Sequence, residues 1–591
     1  MKKIYSFVLM VAMLLIGTNA WATDPVATVS INGATATELE TSAAVTDALL
    51  ALADGDVAVF TLQQNVTLGY GEKTGSQWFD GAKSITFNLN GKSIDCYIRF
   101  NLKQASLYIQ GSGTVDMKIA NLFAATYGSK NKAEAYGYST LEIGENVIIN
   151  SANQYALGLF PRDYADATYT GSNTKCNQQL EQDDWSVKYG AGAGVTINIY
   201  GKVYSKYGVS SNGQLAATVG NVPVVNIYED AYINTSDYNG IYAGGYAIWN
   251  IQGKVEGLTG IYAKGGVFNL NGAEIIGNGE YEKPTENNNG TSGGGSGIVL
   301  DGNAAYAGHM ELHVTGDTKV TSNEGYAMEE LTTSANESQT DSLVIASGEF
   351  NGDVHMGSLT MTTELGQDVQ INGTITGGIY NSDIAEYLSP TEGAIQQTAN
   401  GYEVVAGCVS ILNDYGLATF SSPNYNVVLP EDLNVWIVTS GLDGEGKLTL
   451  EQVVLSAGAI LPKETGFILE GTANKAYSFI KSTADATTGN LDANALLSSD
   501  KFDDAAKPVY ILHDTELWLY EGTVFKEGKA FLPASLFGAG APKRIQMVFA
   551  ETQAVENVEV EAVKAEKFIE NGQVLIKRGE KVYNVQGQIV K

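Results

Sequence analysis

The chain has 591 residues, of which 17% are charged, 67 are Gly and 32 are Tyr, and its formal net charge is −31. This negative charge excludes nucleic acid as the natural partner, since phosphate backbones are bound by basic patches. The many glycines and β-forming side chains, combined with few charges, predict an all-β fold.

The first residues have the pattern of a secretory signal peptide. Two lysines precede an apolar run over residues 4–16, and Ala20-Trp21-Ala22 matches an A-x-A cleavage site. We therefore expect residues 1–22 to be a signal peptide and the protein to be exported, either secreted or held at the cell surface outside the outer membrane. No later run reaches about 20 apolar residues, so no transmembrane segment is predicted.

Residues 41–54 have the apolar spacing of a helix, and Gly55 follows as a stop signal. Short apolar runs come next, at residues 57–62 and 66–68. Because the first strand of a stack exposes an edge that invites further pairing, a stacked fold needs a cover at that end. The helix and the first strands are predicted to form this cap.

From residue 86 to residue 361 one phrase recurs, in which Asn lies between two apolar residues and a turn follows. Three of its copies are Ile197-Asn198-Ile199-Tyr200-Gly201, Trp249-Asn250-Ile251-Gln252-Gly253 and Phe268-Asn269-Leu270-Asn271-Gly272. A repeat of about twenty residues built of short strands and turns indicates a solenoid. We expect the Asn side chains to point inward at a turn and to form an amide ladder between coils.

Two segments interrupt the repeat. Residues 155–193 are polar with poor periodicity, and residues 279–296 are rich in Gly and Asn. Insertions into solenoids form loops on one face, which is often the working face. Near residue 400 the repeat ends, and longer alternating strands begin.

The segment from residue 41 to residue 385 resembles the right-handed parallel β-helix proteins of the pectin-lyase-like superfamily. The resemblance is carried by the capping helix, by Val66-Thr67-Leu68, by residues 85–94 and by the later Asn-Ile-Tyr-Gly coils. It implies a right-handed parallel β-helix solenoid, which we place at residues 23–400 with its N-terminal cap. It also implies that polysaccharide cleavage is the activity to look for.

The rest of the chain resembles modules of exported Bacteroidetes proteins. Residues 415–422, 461–471 and 528–532 are similar to parts of a β-sandwich module, and residues 570–576 with 583–588 are similar to short C-terminal tails associated with type IX secretion or surface attachment. The predicted order is a β-sandwich domain over residues 401–550, an acidic linker over residues 551–566 and a β-hairpin tail over residues 567–591.

The chemistry for polysaccharide cleavage is sparse. Elimination needs an Arg or Lys base beside carboxylates that hold calcium, and the best such cluster is Arg162, Asp163, Asp183 and Asp184. The G-H-G and R-I-K motifs of the superfamily's hydrolases are absent from the solenoid region. Because clustered charges are usually a solvated loop, the sequence favours a non-catalytic protein without a cofactor. An atypical polysaccharide lyase or glycoside hydrolase, with calcium, is the first alternative.

His309, Glu311 and His313 alternate with apolar residues, so a strand places all three on one face. Two imidazoles and a carboxylate are suitable ligands for zinc or another divalent metal. A polar outer face over an apolar inner face explains the same alternation, and we favour that interpretation over a metal site.

Tyrosines are frequent in the coils, and the apolar faces of sugar rings stack on aromatic side chains. The candidate glycan contacts are Tyr238, Tyr242 and Tyr262 of the repeats, together with Trp185 of the first insertion. Tyr242 and Tyr262 occupy the same place in successive repeats, so we expect them about 4.8 Å apart on one sheet. Packing between stacked coils is the competing explanation for these tyrosines.

These observations favour a non-catalytic exported or surface protein that binds a polysaccharide or a host or cell-surface glycan, or that serves in adhesion. A structural surface stalk is the second alternative, beside the enzyme. The sequence leaves the oligomeric state open.

Overall fold

The computed structural model describes the chain from residue 24 to residue 584, except residues 80, 103–104, 120–121, 126–138, 154, 161–194, 212–222, 245–246, 284–293, 302–309, 332–341, 357–372, 490, 504–505, 539, 551–565, 571–572 and 579–580. The predicted signal peptide and nearly all of the predicted linker therefore lie outside the described residues.

The first described residues cover the beginning of a stack of strands. Helix α1 (Ser42–Leu50) begins after Thr41, whose Oγ1 accepts a hydrogen bond from the Ala44 amide at 3.1 Å. This cap satisfies one of the amide donors that a helix leaves open at its N-terminus. Two antiparallel strands cover the edge of the next one: β1 (Ala27–Ile31) pairs with both β2 (Thr37–Leu39) and β3 (Val57–Leu62). These elements lie at the end of the stack where the sequence analysis expects a cap.

From β3 onward the chain winds through three stacks of parallel strands. The first stack continues from β3 through β6 (Ser84–Asn88), β9 (Ser106–Gln110), β12 (Ser139–Ile143), β15 (Val195–Ile199), β18 (Val224–Ile227), β21 (Ile248–Ile251), β24 (Gly266–Asn271), β27 (Met310–Thr315), β29 (Ser342–Ile345) and β31 (Gly373–Ile375).

The second and third stacks receive one strand each from most coils. The second stack contains β4 (Val66–Leu68), β7 (Lys92–Cys96), β10 (Gly113–Met117), β13 (Val147–Ser151), β16 (Lys202–Ser205), β19 (Tyr232–Thr235), β22 (Lys254–Gly257) and β25 (Glu274–Gly277). The third stack contains β5 (Gly75–Phe79), β8 (Ile98–Leu102), β11 (Leu122–Ala125), β14 (Leu157–Phe160), β17 (Val209–Ser211), β20 (Asn239–Ala243), β23 (Thr259–Ala263) and β26 (Ile298–Leu300). Two longer strands, β28 (Lys319–Glu330) and β30 (Glu349–His355), continue both stacks.

The core of the solenoid consists of apolar residues stacked in register from coil to coil. Trp249 and Phe268 are register partners, and their parallel rings lie 6.0 Å apart. Phe60 and Phe87 repeat the arrangement near the N-terminal cap at 5.1 Å. Each fully buried side chain of this size contributes about 1.5–3 kcal/mol. Like residues therefore meet in the interior because the repeat places them there.

An antiparallel hairpin follows the last coil. Strand β32 (Ile379–Tyr380) pairs in parallel with β30 but antiparallel with β34 (Gly401–Val405), which forms a hairpin with β33 (Ala394–Thr398). The reversal of strand direction ends the parallel stacking at this edge. Short 3₁₀ helices lie at Gly71–Lys73, Ala385–Tyr387, Ser499–Lys501 and Ala534–Phe537.

Two further sheets pack face to face after the solenoid. The smaller contains β35 (Gly407–Ile411), β37 (Asn426–Val428), β40 (Ile460–Leu461) and β42 (Ala476–Ser482). The larger contains β36 (Leu417–Ser421), β38 (Asn434–Ile437), β39 (Leu448–Val453), β41 (Gly466–Glu470), β43 (Leu497–Ser498), β44 (Val509–His513), β45 (Glu516–Tyr520), β46 (Ala530–Pro533) and β47 (Arg544–Phe549). Phe420 of the larger sheet stacks on Phe479 of the smaller at 4.1 Å. The predicted fold class, an all-β chain with a parallel β-helix solenoid followed by a β-sandwich, is confirmed.

The last described residues form a three-stranded antiparallel sheet. Its strands are β48 (Glu566–Glu570), β49 (Gln573–Arg578) and β50 (Lys581–Asn584). Strands β49 and β50 lie within residues 567–591, where the sequence predicts a hairpin tail, and β48 is a further strand that was not predicted.

Candidate functional site

Six of the candidate site residues lie outside the described part of the chain. They are Arg162, Asp163, Asp183, Asp184, Trp185 and His309. The polysaccharide-cleaving cluster in the first insertion therefore stays a prediction.

Tyr242 and Tyr262 are register partners on neighbouring strands of the third stack, as their equivalent places in the repeat predict. Their ring centroids lie 6.4 Å apart. Only 5% of Tyr242 and none of Tyr262 is exposed, and the two rings pack with Val299. Because a sugar ring needs an accessible aromatic face, we do not place a ligand on these two tyrosines.

Accessible tyrosines cluster on two successive coils, around the second stack. We call this set the tyrosine face, and it consists of Tyr200, Tyr204, Tyr207, Tyr228, Tyr232 and Tyr238. Tyr238 is 44% exposed and is one of the residues that the sequence singles out, while the other five are half-buried. Each tyrosine of the first coil pairs with one of the second.

One pair, Tyr200 and Tyr228, lies just before strands β16 and β19, and a second pair, Tyr204 and Tyr232, lies on these strands. The rings of Tyr200 and Tyr228 are nearly parallel, with centroids 3.9 Å apart. The rings of Tyr204 and Tyr232 meet edge to face at 5.8 Å. A hydrogen bond to Tyr228 and partial burial raise the pKa of Tyr200 to about 12. This phenol therefore keeps its proton at neutral pH and remains able to donate a hydrogen bond.

The third pair lies at the corner between the second and third stacks. Tyr207 and Tyr238 have ring centroids 4.5 Å apart, and Tyr155 of the preceding coil extends the row at 5.2 Å from Tyr207. The ammonium of Lys206 lies 5.3 Å from the Tyr207 ring centroid and 3.9 Å from Oδ2 of Asp237. The corner thus combines a row of aromatic rings with one charge of each sign.

The corner after Tyr207 and Tyr238 depends on a close backbone approach at Gly208, which directly follows Tyr207. Its φ is +72°, and a Cβ atom there would lie 2.1 Å from the carbonyl oxygen of Gly240. Ser205 Oγ accepts a hydrogen bond from the Gly208 amide at 2.7 Å. Only glycine fits this conformation and this space, so Gly208 sets the distance between the two coils at the corner.

Hydrogen-bonding side chains surround Tyr232. Its hydroxyl donates to Oε2 of Glu256 at 2.6 Å and accepts from Nδ2 of Asn234 at 2.8 Å. Asn278 Nδ2 donates to Oε1 of the same carboxylate at 3.0 Å. Burial raises the pKa of Glu256, but the hydrogen bonds from Tyr232 and Asn278 and the charge of Lys254 outweigh it, and the net pKa is lowered. The surface therefore offers an ionised carboxylate and amides within one coil of the stacked rings.

The predicted amide ladder is present on the first stack. Asn226 donates to Asn198 at 2.9 Å, Asn250 to Asn226 at 2.8 Å, and Asn269 to Asn250 at 2.9 Å. The prediction that these side chains point inward is wrong. They alternate with buried apolar residues and lie half-buried on the outer face. Strand alternation sends the flanking Ile, Leu, Val and aromatic side chains inward and therefore sends Asn outward.

His313 ends the ladder and lies beside Glu311. Its Nδ1 is 3.1 Å from Asn269 Oδ1, and its Nε2 is 3.3 Å from Glu311 Oε2. Both residues lie on the outer face, which is the interpretation that the sequence favours. Within the described part of the chain no group of three or more His, Cys, Asp or Glu residues could hold a metal ion.

A second polar cluster is buried outside the tyrosine face. Lys264 and Asp301 follow β23 and β26, and they form an ion pair of 2.8 Å with 0% and 2% of their side chains exposed. Tyr262 donates its hydroxyl to Asp301 at 3.0 Å. Neither charge belongs to a motif, and sequence reasoning missed both. Their only sequence signal is the position directly after a buried strand.

Comparison of the chain with protein-family models, with curated proteins and with solved structures finds no match. The fold and the site define a parallel β-helix protein with an accessible, hydrogen-bonding tyrosine face. Among the described residues no helix is long and apolar enough to cross a membrane.

Proposed function

We propose that this chain is a non-catalytic exported or surface β-helix protein that binds a polysaccharide or a host or cell-surface glycan through the tyrosine face. The supporting observation is the row formed by Tyr207 and the exposed Tyr238, continued by Tyr155. Its relation to the pectin-lyase-like superfamily and to exported Bacteroidetes proteins is part of the same proposal.

The tyrosine face has the two properties that sugar recognition needs. Aromatic rings offer large apolar surfaces at a low entropic cost, because tyrosine has few rotatable bonds. Around them, Asn234, Glu256 and Asp237 supply amide and carboxylate groups for sugar hydroxyls. Neighbouring coils repeat about every 4.8 Å, so an extended glycan along the solenoid axis meets several tyrosines in succession.

Charge narrows the class of glycan. The chain carries a net charge of −31, so long-range repulsion opposes polyanionic sugars unless a cation such as calcium bridges them. We therefore expect neutral polysaccharides or neutral host glycans as the ligand.

The test is a glycan screen of the purified protein with and without calcium. Retention and new reducing or unsaturated ends are measured in the same samples. We expect retention of a neutral glycan without product, and loss of retention in Tyr238→Ala. Tyr415→Ala is the matched control, because Tyr415 is 60% exposed in the β-sandwich part of the chain. New ends would support the polysaccharide lyase or glycoside hydrolase. Absence of both retention and new ends would support the structural stalk.

A further inference from the structure

Lys264 and Asp301 occupy equivalent positions on neighbouring coils. The Lys264 amide donates to the Ala243 carbonyl at 2.8 Å, and the Asp301 amide donates to the Ala263 carbonyl at 2.7 Å. The parallel ladder thus continues past the ends of β23 and β26, and the two side chains leave it side by side. Their Nζ and Oδ2 atoms lie 2.8 Å apart, within reach of a covalent bond after a small movement.

We propose that Lys264 and Asp301 condense into an intramolecular isopeptide bond that crosslinks two coils of the solenoid. The amine nitrogen of Lys264 attacks Cγ of Asp301, and a new C–N bond replaces one C–O bond. The ammonium supplies two protons and the carboxylate supplies one oxygen, and these leave as one water molecule. No oxidant, reductant or other reactant is required.

Burial favours both the attack and its product. An amine must lose its proton before it can act as a nucleophile, and burial lowers the pKa of Lys264, although the charge of Asp301 opposes this effect. The Tyr262 hydroxyl donates to Oδ2 of Asp301 and withdraws charge from the carboxyl group that is attacked. A neutral amide also removes the desolvation penalty of two buried charges.

The crosslink would close a covalent loop over residues 264–301. This loop contains strands β24, β25 and β26 and the predicted insertion at residues 279–296, and the bond would join the coil of β23 to the coil of β26. Linking these coils restricts the unfolded chain in the way a disulfide does. A surface-displayed solenoid would gain resistance to unfolding by force and to proteases.

Mass spectrometry of the purified full chain tests the proposal. We expect the intact mass to be lower than that of the sequence by one water molecule. Trypsin cannot cleave after an acylated lysine, and Lys283 precedes a proline, so digestion of the denatured protein should release residues 255–319 as one peptide lacking one water.

Two controls separate this crosslink from other causes. Lys254 pairs with Glu274 at 3.3 Å on the accessible surface, and trypsin should cut after Lys254 normally. Asp301 precedes Gly302, and a cyclic imide there would also lose water. Lys264→Arg keeps the positive charge but cannot form the amide, so the mass deficit must vanish in this variant.

The proposal is overturned by a protein of full mass in which trypsin cuts after Lys264 as readily as after Lys254. It is equally overturned if Lys264→Arg retains the deficit. Both outcomes are measured on the wild-type protein and on one variant that keeps the positive charge. The test therefore does not require a variant that removes the buried ion pair and still folds.

Discussion

Asn250 donates its side-chain amide to Asn226 of the preceding coil at 2.8 Å, and its own oxygen accepts from Asn269 of the following coil at 2.9 Å. The two inner members of the ladder, Asn226 and Asn250, thus each give one hydrogen bond to an Asn side chain and receive one. Each amide retains a second N–H and a second lone pair for solvent or a ligand. The ladder fixes the register of the first stack from its outer face, while the apolar residues fix it from the core.

Interrupting the ladder should destabilise the solenoid. Asn250→Ala leaves Asn226 without its donor and Asn269 without its acceptor, and we expect a loss of about 1 kcal/mol because water replaces part of the bonding at a half-buried site. Gln252→Ala changes an exposed side chain of the same coil and should have almost no effect. Thermal unfolding of both variants measures the difference, and equal midpoints would show that the ladder contributes nothing.

Replacing Gly208 should destabilise the folded protein by more than backbone strain alone. Gly208→Ala combines a φ of +72° with a Cβ that would meet the Gly240 carbonyl oxygen at 2.1 Å. Gly33 has the same φ within one degree, and a Cβ atom there would have no atom within 4 Å. Gly33→Ala therefore measures backbone strain alone, and we expect it to lower the free energy of unfolding by about 1 kcal/mol. We expect Gly208→Ala to lower the unfolding midpoint clearly further than Gly33→Ala. Identical losses would mean that the corner tolerates a wider separation of the coils.

The buried carboxyl group of Glu329 should make stability depend on pH. Burial raises its pKa above the ordinary value of 4.5, against hydrogen bonds from Tyr281 and Ser296 and the charges of His355 and Lys283. The folded protein therefore binds more protons between the two pKa values, so this contribution to stability falls as pH rises above about 4.5 through the folded pKa.

Glu329→Gln tests this dependence. The variant removes the buried charge and keeps a hydrogen-bond acceptor, so it should raise the unfolding midpoint at pH 7 by more than it does at pH 4. Glu280→Gln provides the control, because Glu280 is exposed and directly precedes Tyr281, a hydrogen-bond partner of Glu329. A gain of the same size at both pH values would contradict the pKa assignment.

The repeat made the solenoid predictable, because Asn198, Asn226 and Asn250 recur in the same phrase at intervals of 28 and 24 residues, which are typical of stacked coils. The repeat also placed Tyr242 and Tyr262 on neighbouring strands. Orientation was harder to predict. Period-two alternation tells which residues share a face of a strand, but it does not tell which face points to the core. The orientation of the Asn side chains is known only once the alternating apolar residues are assigned to the core.

The candidate site was less predictable than the fold. Tyr238 lies just before the Gly240-Ile241-Tyr242 phrase and is exposed at a corner, whereas Tyr262 ends the Gly260-Ile261-Tyr262 phrase and is buried with Val299. That difference comes from what covers each face of the solenoid, and the repeat does not encode it. Lys264 and Asp301 were missed for the same reason, since they are 37 positions apart in sequence and meet only across a coil boundary.

The most direct test of the central claim is a binding titration with the glycan that the screen retains. Wild type, the Tyr207→Ala/Tyr238→Ala double variant and Tyr415→Ala are compared at one ionic strength. Two lost aromatic contacts at about 1 kcal/mol each predict at least a tenfold weaker affinity for the double variant, and wild-type affinity for Tyr415→Ala. Equal affinities for all three proteins, or no retained glycan at all, would contradict a glycan-binding tyrosine face.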